Sequence, residues 1–186
     1  SMSSKDTALS PQLVLEFQSS SLGPWRRSEL QDLAQSIFDK LPQPLRLKMR
    51  RRSLCLLIGF ISEVDMRSLN FQLRKKKKAT DVLSLDYNPG TPIAKLTTPA
   101  RHAGPHLLGE VWLCPTYIRK QAQRLGHVYK DEITYLLIHG ILHVLGYDHE
   151  QDELEAQAMF DLQNRIFTKI QNLNKATSRA FKLVEK

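Results

Sequence analysis

An α+β fold, with a small mixed β-sheet packed by helices, is what this sequence predicts, and three observations carry the prediction. Strand-like apolar runs recur in the early part of the 186-residue chain, helical periodicities fill the late part, and a helix separates the first strands.

Residues 13–17 read as a first strand. Residues 27–41 read as a helix, with Leu30, Leu33, Ala34, Ile37, Phe38 and Leu41 at helical spacing and Ser28 as its cap. Pro42 and Pro44 stop it. Residues 53–61 are an apolar run of strand length. Ser62 then caps a helix whose first turn carries Glu63 and Asp65, where acids suit the helix dipole, and which ends near Arg74. Residues 82–87 read as a strand, 88–105 as a loop rich in Pro, Thr and Gly, and 107–113 as a further strand. Helices over 115–125, 130–145 and 150–173 close the domain. The organisation expected is an N-terminal tail over 1–12, where Ser1 before Met2 looks like an expression scar, then one domain over 13–173. A polar, basic tail follows over 174–186 and is expected to be disordered in isolation.

A content of 41% hydrophobic and 25% charged residues is ordinary for a globular protein and argues against a mainly disordered or fibrous chain. Apolar runs such as 54–61 are far shorter than the roughly 20 residues that cross a bilayer, so no membrane partner is expected. The first 30 residues show no charged and then apolar stretch of a secretory leader. Cys55 and Cys114 both lie in apolar stretches and suit a reducing compartment rather than a disulfide framework. The cytoplasm is the expected location, with an organellar stroma or matrix as the alternative.

The net charge of +8 is segregated. Eleven Lys or Arg between Arg46 and Lys78 face only Glu63 and Asp65, a local +9 that leaves −1 for the rest of the chain. Arg50, Arg51 and Arg52 form one basic group; Lys75, Lys76, Lys77 and Lys78 form another. Residues 131–161, by contrast, carry eight acids and no Lys or Arg. A charge run can be a solvated loop, yet clustered Lys and Arg also supply the sequence-independent part of nucleic-acid affinity.

Residues 139–149, His-Gly-Ile-Leu-His-Val-Leu-Gly-Tyr-Asp-His, carry the chemistry. On a helix His139 and His143 project about 40° apart and one turn along, close enough to share one ion. Gly146 can turn the chain back in a left-handed conformation and deliver His149 as a third ligand. Three imidazoles leave a tetrahedral position open, which is the layout of a catalytic rather than a structural site. One divalent metal ion is expected, Zn2+ foremost, although imidazoles also suit nickel, copper and iron. His102, His106 and His127 show no comparable spacing and read as loop or surface residues. The histidine offsets are those of zincin metalloproteases, and the fold expected is zincin-like, with the metal site on a late helix and the turn after it. Gly140, however, stands where those proteases carry their glutamate base.

The histidine segment resembles the signature HGxLHLxGYDH of the YbeY family of rRNA-maturation endoribonucleases, departing only at Val144. Leu69-Asn70-Phe71-Gln72-Leu73-Arg74 with Thr80-Asp81-Val82-Leu83-Ser84 is similar to the family's LNxxxR…T(D/N)VLSF, and Leu108-Gly109-Glu110-Val111 to its LGD(I/V). The likeness runs from about residue 13 to residue 170. Three departures stand out: Lys75-Lys76-Lys77-Lys78-Ala79 replaces a GKDKP-like turn, Glu110 an Asp, and Leu85 a Phe.

The resemblance implies an α+β fold, a zinc-type site on His139, His143 and His149, and cleavage of single-stranded RNA in rRNA maturation and ribosome quality control. It also implies the ribosome or its small subunit as a partner. Arg74 matches the family's functional arginine beside the metal cleft. Metal-assisted phosphodiester cleavage follows as the expected reaction, with the Arg74 fork on the phosphate and the basic residues at 75–78 and 50–52 on the flanking backbone. Two other readings use the same residues: a ribosome-associated RNA-binding module with a structural metal, and a zincin-like metallopeptidase.

Overall fold

Four strands make one sheet in the computed structural model, which describes residues 11–19, 21–50, 52–91, 104–150 and 152–184, with side chains as far as residue 176. They are β1 (Gln12–Phe17), β2 (Ser53–Phe60), β3 (Val82–Asp86) and β4 (His106–Leu113), in the order β1-β2-β4-β3. β2 runs parallel to both β1 and β4, whereas β3 pairs antiparallel with β4, Val82 opposite Leu113 and Asp86 opposite Gly109. The sheet is therefore mixed, as expected. β1 buries Leu13 and Leu15 but exposes Gln12, Val14 and Glu16, because it is an edge strand with one covered face. β2 is interior and largely buried on both faces, which is why its sequence is a continuous apolar run.

Six helices accompany the sheet among the described residues: α1 (Arg27–Asp39), α2 (Gln43–Met49), α3 (Glu63–Arg74), α4 (Pro115–Leu125), α5 (Tyr129–Val144) and α6 (Glu153–Val184). Ser62 caps α3 as expected, its hydroxyl accepting the Asp65 N–H at 3.1 Å.

Three local expectations change. Arg26, not Ser28, occupies the N-cap of α1, because the Glu29 carboxylate reaches back to its N–H at 2.7 Å. The prolines that end α1 also begin α2, a helix the apolar pattern does not announce. Pro42 is its N-cap and Pro44 lies in the first turn, where a missing N–H forfeits no helical bond. Finally, α6 starts three residues later than the sequence suggests, where the Asp152 carboxylate accepts the Leu154 N–H at 2.7 Å. It then continues to Val184, into the segment expected to be a disordered tail, since residues 174–184 contain no Gly or Pro to break it.

The main core lies between one sheet face and helices α1, α5 and α6, around Leu30, Phe38, Leu56, Ile58, Leu137, Ile141 and Ile166. A smaller cluster of Met66, Leu83 and Cys114 sits beneath α3. α5 is buried on most of its surface and packs directly against β3 and β4.

Gly140 permits that close approach. A Cβ at this position would stand 2.6 Å from Val111 Cγ1, a β-branched side chain held within the sheet. Gly140→Ala is accordingly expected to destabilise the fold by on the order of 1 kcal/mol, the overpacking cost exceeding alanine's helical advantage. Thermal melting checks this; an unchanged or higher melting temperature would show that Val111 yields.

Candidate metal centre

Three imidazoles converge at the C-terminal end of α5. His139 and His143 share a face, with ring centroids 4.7 Å apart. The helix then closes with Gly146 N–H donating to His143 O at 2.9 Å and Tyr147 N–H to Leu142 O at 3.0 Å, Gly146 adopting φ 96°. This pair of bonds is a Schellman motif, and it turns the chain back on itself. His149 arrives with its ring 5.1 Å from that of His139 and 4.7 Å from that of His143. Asp148 holds the turn by accepting the Glu150 N–H at 2.9 Å. The nitrogen atoms available for coordination, one from each histidine, all lie within 4.8 Å of one another.

The donor set fits a divalent cation. Gln163, 1% exposed on α6, places its Oε1 2.9 Å from His139 Nδ1 while its Nε2 donates to Tyr135 O at 3.1 Å. The amide orientation is thereby determined, so His139 Nδ1 carries the proton and Nε2 keeps its lone pair. His149 Nδ1 is buried without a hydrogen-bond partner. Phe160 stacks on His139 at 5.9 Å and meets His149 edge-on, closing the apolar side.

Burial holds His139 below the ordinary histidine pKa, and burial with the neighbouring imidazoles pushes His143 down to about 4. The metal-free cluster therefore keeps His143 neutral at pH 7, the form that ligates. Between the ordinary 6.5 and 4, unfolding takes up a proton at His143 that the folded state excludes. The metal-free protein should lose stability as pH falls through that window and level off in this respect below it. Melting temperatures across the range test this, and a flat profile would contradict it.

The histidines open onto a cleft of about 770 Å³ that runs along all of β3 and includes Leu73, Arg74, Asp81, Asp148 and Glu150. Arg74, the last residue of α3, donates from Nη2 to Glu150 Oε1, across the cleft from its own helix. A second cleft of about 360 Å³ shares Asp86, Gly90 and Gly146 with the first and adds Lys48. The resulting groove spans the length of β3, about 17 Å for a five-residue strand.

The structure places Arg74 in the same cleft as the histidines but separates the two basic groups. Lys75, Lys76, Lys77 and Lys78 are exposed at the end of the sheet where β3 begins. Arg50 ends α2 and Arg52 precedes β2; because β2 and β4 run parallel, these lie at the other end, beside the start of β4. Arg51 lies outside the described residues. Positive charge thus marks the two ends of the sheet, whereas Asp81, Asp86, Asp148 and Glu150 line the cleft.

Of the remaining histidines, His106 opens β4 beside Asn88 Oδ1 at 3.2 Å, and His127 meets Glu132 Oε2 at 2.7 Å. Glu132 also accepts from Gln121, which reaches Asp81 as well, tying the start of β3 to the first turn of α5. His102 lies outside the described residues. Sequence reasoning missed Gln163, Phe160 and Glu150. Gln163 had a signal: it interrupts the buried stripe Met159, Leu162, Ile166 and Ile170 of α6 with a polar side chain.

Known proteins resemble this chain in sequence and in fold. A family model described as endoribonuclease YbeY matches residues 16–171. The endoribonuclease YbeY of Persephonella marina is 44% identical over 122 residues, 66% of this chain and 74% of that protein. That of Shouchella clausii is 30% identical over 153 residues, 82% and 93% of the two chains. The solution structure of TM1509 from Thermotoga maritima superposes with a TM-score of 0.53 at 22% identity, covering 88% of this chain and 93% of that one, a likeness of fold alone.

Proposed function

Because the chain belongs to the YbeY family of endoribonucleases, we propose that residues 13–173 act as one metal-dependent domain that cleaves single-stranded RNA in ribosomal RNA maturation and ribosome quality control. The observation that carries this reading is a single cleft lined by both the three-imidazole cluster and Arg74.

His139, His143 and His149 hold one divalent cation, with zinc the expected ion. The chemistry a bound cation contributes there is Lewis-acid polarisation of a phosphoryl oxygen. Gln163 keeps the proton on His139 Nδ1 and so directs Nε2 toward the cleft. Arg74 offers a planar fork to the phosphate and to the charge that develops on it, while Glu150 occupies that fork when RNA is absent. The lysines at 75–78 and the basic group at 50–52 attract the flanking RNA backbone. The partner is the ribosome or its small subunit, and the location is the cytoplasm, which suits two buried free cysteines. No helix among the described residues is long and apolar enough to cross a membrane. A peptidase reading loses support because the position of the zincin base, Gly140, is pressed against Val111.

The test is cleavage of an unstructured RNA by nuclease-free protein before and after chelation. Cleavage should vanish with the metal and return with zinc. Product ends then separate attack by water from attack by the RNA's own 2′-hydroxyl, which leaves a cyclic phosphate. Loaded protein that binds RNA in a salt-sensitive way yet never cuts it would overturn the enzymatic reading in favour of a binding module.

A further inference from the structure

One aromatic side chain near the groove has no place in the core. α3 buries Met66 and Asn70, whereas Phe71 is 42% exposed. It precedes Arg74 by three residues and so lies on a neighbouring part of the same helix surface. The lysine run folds back over it. Lys75 takes a left-handed conformation, φ 59°, and its N–H donates to Phe71 O at 3.0 Å. Buried Asn70 donates from Nδ2 to Lys78 O at 2.8 Å and so ties down the far end of the run. The outcome is that Lys75 Nζ and Lys77 Nζ stand 5.7 and 5.5 Å from the Phe71 ring centroid.

We propose that Phe71, Lys75 and Lys77 form a nucleotide subsite just outside the metal cleft, where one unpaired base of a single-stranded nucleic acid stacks on the Phe71 ring between two phosphate-binding ammonium groups. The inference rests on the RNA-cleaving reading above and names a recognition element for it. Its physical basis is the combination on which single-strand binding depends, an aromatic face that accepts any base and cations that track the backbone. The ring is 42% exposed, and the ammonium groups resting against it mark it as cation-attracting. A base arriving there enters beside Arg74, so the stacked nucleotide sets how the neighbouring phosphate reaches the cleft.

The experiment uses the full chain with its metal and a short fluorescent 2′-O-methyl oligonucleotide, read by anisotropy over a salt series. Phe71→Ala should weaken binding by about tenfold or more, the range for losing one base stack. Phe71→Leu, which keeps apolar bulk but no π-face, should lose as much. Phe71→Trp should bind at least as tightly as the parent, with its fluorescence quenched by the oligonucleotide. Lys75→Gln and Lys77→Gln should each lower the salt slope by about 0.7. Because Phe71 is a surface residue, melting temperatures should stay within a few degrees of the parent. Parent protein that binds while Phe71→Ala and Phe71→Leu bind equally well would overturn the subsite and leave the ring as a surface for a protein partner. Parent protein that neither binds nor cuts RNA would overturn both this proposal and the reading beneath it.

Discussion

Replacing His143 by alanine is expected to empty the metal site and lower RNA cleavage at least 100-fold, since even residues that merely orient ligands cost about 10- to 100-fold when removed. The three histidines are the only metal-capable cluster found among the described residues, and Asp148 and Glu150, which line the same cleft, are not part of it. Two imidazoles alone make a weak chelate. The helix itself should survive, because His143 is only half-buried and the turn is secured by backbone bonds to Gly146 and Tyr147. Elemental analysis and far-UV circular dichroism on the same sample separate the two effects. Full metal occupancy in the variant would refute the ligand assignment.

Arg74→Ala should retain its metal and fold yet cleave roughly 100 to 1,000 times more slowly, the usual cost of removing one group aimed at developing charge. Arg74→Lys should recover little of this, because an ammonium cannot reproduce a planar two-point contact with phosphate. A purely structural role makes a different prediction. If Arg74 served only to tie α3 to the histidine turn through Glu150, then Glu150→Ala would break the same half-exposed pair and depress cleavage equally. If the guanidinium binds phosphate, Glu150→Ala frees it and leaves RNA affinity the same or higher. Comparing kcat and KM for the two variants distinguishes these roles.

Much of the fold was legible because its signals are local. The continuous apolar run of β2, the Ser62 cap and the glycine that ends α5 each produce their structure through a mechanism confined to a few neighbouring residues. The histidine cluster was legible for the same reason: two of the imidazoles share a helix turn, and the third follows a glycine. Gln163 and Phe160 reach the site from α6, about twenty residues on, and no spacing rule links a helix to the face of another that it covers. The pairing of Arg74 with Glu150 spans 76 residues and is set by the sheet order, not by either local sequence. The short helix α2 escaped notice because proline signals both an end and a beginning. Charge was legible in amount but not in place: a single basic stretch in the sequence becomes two poles at opposite ends of the sheet.

The contact between Gly140 and Val111 also constrains what this site can become over evolutionary time. A glutamate at 140 would supply the base that zincins carry and this site lacks, but its Cβ would stand 2.6 Å from Val111 Cγ1. A smaller residue at 111 would relieve the contact, but that change made first leaves a void behind α5. Each single step is disfavoured, so a lineage carrying this pair is separated from peptide hydrolysis by a stability valley, despite sharing the proteases' histidine spacing.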